Sequence, residues 1–124
     1  MRRRLFLGAV LVVFVARLAA QSAIRPDRTI QLFDGKSLAN FETWVVDTHR
    51  EDPLRVFTVA DQVDGAPAIR ISGERWGGII TRESYRDYRL IVEFRWGLVT
   101  WGNRRNAARD SGVLIHGQGS VGNT

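Results

Sequence analysis

Short runs in which apolar and polar residues alternate recur along the chain, separated by residues typical of turns. From Thr29 onward no window keeps apolar residues at helical spacing for three turns, whereas alternation with a period of two indicates strands. The pattern predicts strands at residues 29–33, 41–46, 56–60, 68–72, 76–81, 88–96 and 111–116. A series of short strands without helices favours an all-β fold, either two packed sheets or a barrel.

Glycines mark the turns between these predicted strands. Asp34-Gly35 and Asp64-Gly65 suit turns that need positive φ angles, and the second is expected to join the third and fourth strands as a hairpin. Gly77 lies in the fifth strand, where glycine indicates a bulge or the close approach of another group.

The sixth and seventh strands carry the first candidate site. Glu93 and Arg95 share one face of the sixth strand with Ile91 between them, and the other apolar residues of the strand lie on the opposite face. If the two strands pair, a consistent register sets His116 near both side chains. The alternative is that Glu93 and Arg95 simply face solvent and that His116 ends an edge strand.

Four tryptophans form a second group. Trp96 is in register with Phe94 and is predicted to lie in the core, and Trp44 falls in the second strand. Trp76 and Trp101 lie beside glycines, which makes them the better candidates for stacking on a sugar ring. Burial in the core is the alternative for these two, because it is the commoner environment of an indole.

The connection between the last two strands is basic. It contains a positive cluster of three residues, Arg104, Arg105 and Arg109. The cluster either binds an anionic group or keeps a long loop exposed to solvent. Asp110 caps or turns the chain before the last strand, or contacts a substrate. No GxSxG, P-loop, dinucleotide or HExxH sequence occurs, and with only His49 and His116 a multi-histidine metal site within this chain is excluded.

Residues 1–20 predict a secretory signal peptide. Three arginines precede an apolar run that ends at Ala16, and Ala19-Ala20 follow, which is typical of a signal cleaved after Ala20. An uncleaved membrane anchor is the alternative, but Arg17 interrupts the run before the roughly 20 apolar residues of a spanning helix. Residues 21–28 are then a linker and 29–124 the domain.

The charge and the cysteine content limit which binding partners and which cellular compartment can be expected for this protein. Without the four arginines of the signal segment the formal charge falls from +5 to +1, so the basicity gives little support for a nucleic-acid partner. The chain has no cysteine, which excludes a disulfide framework. We expect a domain exported to a bacterial periplasm or the exterior, which contacts a membrane only through the uncleaved signal segment.

The length predicts an incomplete fold. About 104 residues follow the predicted cleavage site, enough for one small domain but short for a large two-sheet sandwich. Residues 117–124 have turn composition directly after the last strand, so we expect the N-terminal part of an antiparallel sandwich, incomplete at the C-terminus. Such a fragment is expected to be inactive and prone to aggregation.

Several segments, taken in order, resemble the bacterial 3-keto-disaccharide hydrolase domain family. The resemblance runs from about Thr29 to His116. It rests on Leu32-Phe-Asp-Gly-Lys-Ser-Leu38, Trp44, the Asp64-Gly65 hairpin, Trp76-Gly-Gly-Ile-Ile-Thr81, Tyr85-Arg-Asp-Tyr-Arg-Leu-Ile-Val-Glu-Phe-Arg95 and Asp110-Ser-Gly-Val113. It implies a concanavalin A-like jelly roll and an exported enzyme that cleaves 3-keto-glycosides. Here Asp110 replaces the asparagine of the family's Asn-Ser-Gly, and His116 stands where the family often has arginine.

The implied chemistry starts from the C3 ketone, which acidifies the proton on C2. The resemblance therefore implies a base and an oxyanion partner, and we expect Glu93 or His116 to act as the base or to bind a divalent metal ion, and Arg95 to stabilise negative charge. Trp76, Trp101 and Asp110 are the predicted substrate-binding residues for a saccharide. The alternative functions are a non-catalytic, lectin-like module and an exported interaction or structural domain.

Overall fold

The computed structural model of the chain describes residues 22–117, 119, 121 and 122. The predicted signal peptide, residues 1–20, lies outside this described part. The described residues form four strands, and the predicted all-β architecture with two antiparallel sheets is confirmed. Strands β1 (Phe41–Val45) and β4 (Gly77–Thr81) form one sheet, and β2 (Phe57–Val63) and β3 (Ala66–Ile71) form the other.

The β2–β3 hairpin forms at the predicted dipeptide. Asp64 and Gly65 both have positive φ angles, 54° and 89°, as a two-residue hairpin turn requires. The ladder pairs Phe57 with Ile71 and is irregular between Ala60 and Val63. The hairpin is therefore confirmed, with β2 extending three residues further than the alternation predicted.

Gly77 is the point where the two sheets meet. It pairs with Val45 in the β1–β4 ladder, and a Cβ atom at this position would collide with the Trp44 carbonyl oxygen and lie 3.2 Å from the Phe57 ring. Phe57 belongs to the other sheet, so the missing side chain lets its ring pack against β1 and β4. The predicted close approach at this glycine is confirmed.

The core is small and lies between the two sheets. Val45, Val56 and Phe57 form its buried cluster, against which Leu38 and Ile79 pack.

The start of β2 is held in place by a carboxylate that lies outside the sheet. Asp52 accepts hydrogen bonds from the backbone N–H groups of Val56 and Phe57, at 2.7 and 2.9 Å.

A polar turn precedes β1. The Asp34 carboxylate accepts hydrogen bonds from the backbone N–H groups of Lys36 and Ser37, at 2.8 and 2.7 Å. These bonds favour the charged form and hold the pKa of Asp34 below its usual value. Gly35 follows with a φ of 78°, so the predicted turn is confirmed, but residues 29–33 before it form no strand.

The predicted sixth and seventh strands are the main correction. Residues 88–96 and 111–116 enter no ladder among the described residues, and many of their apolar side chains lie in solvent, with Leu114 89 % exposed. Trp96 is 49 % exposed and contacts the Phe94 ring edge-on at 5.8 Å, so its prediction as a core residue is wrong. Alternation marks a segment able to form a strand, but a strand also needs a partner for its backbone groups.

No helix in the described part of the chain is long and apolar enough to cross a membrane.

Candidate functional site

The connection between the two exposed segments folds back onto the turn that joins β3 to β4. The Trp101 indole N–H donates a hydrogen bond to the Ser72 carbonyl oxygen at 2.9 Å. Gly73 follows with a φ of 74°, and a Cβ atom there would lie 3.8 Å from Trp101 Cδ1. The indole is thus seated against the end of β3.

Residues 98–110, which we call the arginine loop, are held together by their own side chains. A single 3-10 turn spans Gly102–Arg104. The Thr100 hydroxyl donates to the Arg105 carbonyl oxygen at 2.9 Å, and the Arg109 guanidinium donates to the Leu98 carbonyl oxygen at 3.2 Å. These bonds close the loop on itself and leave one face against the β3–β4 turn.

Arg104 connects this loop to the second candidate tryptophan. Its guanidinium carbon lies 5.7 Å from the centre of the Trp76 ring, which is within the range of a cation–π contact. One guanidinium nitrogen donates to Asp110 Oδ2 at 3.0 Å, and another donates to the Ala108 carbonyl oxygen at 3.1 Å. Trp76, Trp101 and Asp110 are therefore brought to one surface, although they are far apart in the sequence.

This surface, which we call the tryptophan surface, is open to solvent. Trp76 is 57 % exposed although Arg104 approaches its ring. An exposed indole beside a carboxylate can take the C–H face of a sugar ring while the carboxylate accepts its hydroxyl groups. The predicted substrate-binding role of the three residues stays a prediction. What is observed is that Arg104 contacts both Trp76 and Asp110 and that Trp101, in the same loop, contacts Ser72.

The predicted catalytic residues Glu93, Arg95 and His116 are not held together by hydrogen bonds or ion pairs within the described residues. Arg95 forms an ion pair with Asp64 at the tip of the β2–β3 hairpin, with an N–O distance of 2.6 Å. The Glu93 carboxylate and the His116 imidazole have no hydrogen-bond or ion-pair partner within the described residues. Because the two segments form no ladder, no strand register aligns His116 with Glu93 and Arg95. The catalytic roles of the three residues stay predictions.

The described residues offer few ligands for the predicted divalent metal ion. Within residues 22–117, 119, 121 and 122, no group of three or more histidine, aspartate or glutamate side chains is placed to hold a metal ion. Glu93 and His116 do not by themselves complete such a ligand set, because divalent ions bind four or more donors.

Two arrangements were not predicted from the sequence. The first is Arg104, which was recognised only as one of three basic loop residues; its spacing of six from Asp110 was the available signal. The second is a parallel stack of the Trp44 and His49 rings, with centroids 4.6 Å apart. His49 lies in a turn with a φ of 58°, and alternation patterns contain no information about such turns.

A cleft of about 150 Å³ is lined by none of the residues of the tryptophan surface. Its walls include Ile30, Asn40, Arg82 and Tyr85. Arg82 donates from Nε to the Ala39 carbonyl oxygen at 2.9 Å and pairs with Glu42 at 3.4 Å. These contacts fix the segment before β1 to the end of β4, so the cleft is accounted for by the packing of the fold.

Comparison with known proteins identifies the family. No curated protein and no solved structure matches this sequence. A family model does match, over residues 28–124, and its description is the 3-keto-alpha-glucoside-1,2-lyase-like domain. The match covers most of the chain and includes both the strands and the tryptophan surface. The resemblance predicted from the sequence is confirmed, and the chain belongs to the family of 3-keto-alpha-glucoside-1,2-lyase-like domains.

Proposed function

We propose that this protein is an exported carbohydrate-active domain that cleaves 3-keto-glycosides by elimination between C1 and C2. The observation that carries the proposal is the family match over residues 28–124, because the family description refers both to 3-keto-glucosides and to a 1,2-lyase. The tryptophan surface adds independent support, since exposed indoles beside a carboxylate suit a saccharide.

The proposed reaction begins with the proton on C2. A base removes it, and the electrons of the C–H bond form an enolate whose negative charge lies on the C3 oxygen. The C3 carbonyl then re-forms, a double bond forms between C1 and C2, and the C1–oxygen bond breaks; the departing oxygen takes a proton. Water adds across the new double bond to give the free 3-keto sugar. This route differs from two-carboxylate glycoside hydrolysis.

We assign the proton transfer to Glu93 or His116 and the stabilisation of the enolate oxygen to Arg95. Both side chains are exposed and lack a hydrogen-bond partner among the residues described, so either can come within reach of a substrate proton. Arg95 is paired with Asp64, but both side chains are more than half exposed. An exposed ion pair contributes less than about 1 kcal/mol, so Arg95 can exchange this partner for a substrate oxyanion at small cost.

We assign saccharide binding to the tryptophan surface. Trp76 offers an exposed ring, Trp101 fixes the arginine loop through Ser72, and Asp110 presents its second carboxylate oxygen beside the Arg104 contact. A pyranose packed on the Trp76 indole would place hydroxyl groups near this carboxylate. The proposed export rests on residues 1–20, whose charge and apolar pattern is that of a signal peptide.

The test is turnover of p-nitrophenyl 3-keto-α-D-glucopyranoside by the full-length protein, followed by release of nitrophenolate. We expect Glu93→Gln with Arg95→Ala to lower kcat/KM by at least about 100-fold, the usual contribution of a positioned base. The control is Glu51→Gln with Arg55→Ala, which makes the same chemical changes in an exposed turn and should keep the rate. Turnover by the first variant at the wild-type rate would contradict the assignment.

A non-catalytic saccharide-binding module is the second candidate. It is favoured by one observation: the described residues gather Trp76, Trp101 and Asp110 but do not gather the predicted catalytic residues. The same experiment separates the two functions. Saccharide binding by the full-length protein without any turnover, and without loss of binding in the Glu93→Gln and Arg95→Ala variant, would establish the module.

A further inference from the structure

Arg104 differs from the other arginines of its loop in what its side chain contacts. The three contacts of its guanidinium are the Trp76 ring, the Asp110 carboxylate and the Ala108 carbonyl oxygen. Arg109 contacts only the Leu98 carbonyl oxygen, and the Arg105 side chain contacts no acceptor within the described part of the chain. Arg104 is also the least exposed of the three.

We infer that Arg104 is a positioning residue of the saccharide site, which fixes the Asp110 carboxylate beside the Trp76 ring so that the two bind a sugar together. The inference rests on the proposed function. The contacts made by Trp101 hold the loop against the β3–β4 turn, but they do not set where Asp110 lies relative to Trp76. Arg104 contacts both Trp76 and Asp110.

The geometry explains why an arginine suits this role. A guanidinium is planar and has five N–H donors, so it can face the indole ring while its edge donates to a carboxylate and a carbonyl oxygen. A lysine ammonium is a compact point charge that cannot make the same planar contact and forked hydrogen bonds together. The Arg104 guanidinium donates to Asp110 Oδ2, and Oδ1 accepts no hydrogen bond from any described residue, so it can accept one from a sugar hydroxyl group.

The experiment measures the dissociation constant of methyl 3-keto-α-D-glucopyranoside with the full-length protein by tryptophan fluorescence. We expect Arg104→Gln to weaken binding about tenfold, because it removes a cation–π contact and a charge-assisted hydrogen bond that orient the site. Arg105→Gln is the matched control, since it removes the same charge from the adjacent residue, and should bind within about twofold of the wild type.

A double-mutant cycle distinguishes positioning from a direct contact. If Arg104 acts through Asp110, the combination of Arg104→Gln with Asp110→Asn should weaken binding by about as much as either change alone, and not by the product of the two. Melting temperatures of all variants should stay within about 4 °C, because these residues lie outside the core. Should Arg104→Gln fail to fold, Arg104→Lys takes its place, with the same expected loss.

The inference is overturned if Arg104→Gln binds as well as Arg105→Gln, or if the effects of Arg104→Gln and Asp110→Asn multiply. Failure of the proposed function gives a different result, since the wild-type protein would then bind no 3-keto-glucoside, and the inference would fall with it. A wild-type protein that binds, together with an unaffected Arg104→Gln variant, would overturn the inference alone.

Discussion

The hairpin region, residues 41–81, and the exposed region, residues 88–116, have similar alternation of apolar and polar residues but different structures. In the first, four strands pair in two sheets and bury Val45, Val56 and Phe57 between them. In the second, no strand forms within the described residues, and most apolar side chains are exposed. The alternating pattern therefore does not by itself decide whether a segment packs.

The predicted site residues are divided between these two environments. Trp76 lies in the hairpin region, between β3 and β4. Trp101 and Asp110 belong to the exposed region, and contacts of the arginine loop bring them near Trp76. The site thus combines the turn before β4 with a loop that is held by a few polar contacts. Stability and binding should therefore respond to different substitutions, and matched residues in the two regions should behave differently.

The largest expected difference concerns two phenylalanines. Phe57 is 6 % exposed in the core, whereas Phe94 is 76 % exposed. Phe57→Ala should lower the free energy of unfolding by about 3–5 kcal/mol, because it removes a buried ring and leaves a cavity. Phe94→Ala should change it by about 0.5 kcal/mol or less. Urea denaturation followed by circular dichroism measures both, and equal losses would show that residues 88–96 pack in solution.

A smaller difference is expected for two aspartates. Asp52→Asn removes one of two acceptors for the Val56 and Phe57 N–H groups, so it should lower the free energy of unfolding by about 1–3 kcal/mol. Asp64→Asn removes an exposed ion pair with Arg95 and should cost less than about 1 kcal/mol. Asparagine also tolerates the positive φ of residue 64. A larger loss for Asp64→Asn would show that the ion pair anchors the exposed region.

The sequence predicted the elements whose signals are local. The Asp64-Gly65 turn needs positive φ at both residues, and the Gly77 contact needs a missing side chain, so the residue types alone indicated both. Pairing of residues 88–96 with 111–116 depended on a register between distant segments, which alternation cannot specify. Arg104 was missed as a site residue for a similar reason, because its role comes from contacts with Trp76 and Asp110 that form only when the loop folds back.

If the saccharide site lies on the tryptophan surface, the four indole N–H resonances of the protein should report it. Each of the four tryptophans gives one such resonance in a ¹H–¹⁵N spectrum. On titration of the full-length protein with methyl 3-keto-α-D-glucopyranoside, the resonances of Trp76 and Trp101 should shift and saturate together, and that of Trp44 should stay in place. Shifts confined to Trp44 or Trp96, or no shift at any concentration, would show that the saccharide does not bind at the tryptophan surface.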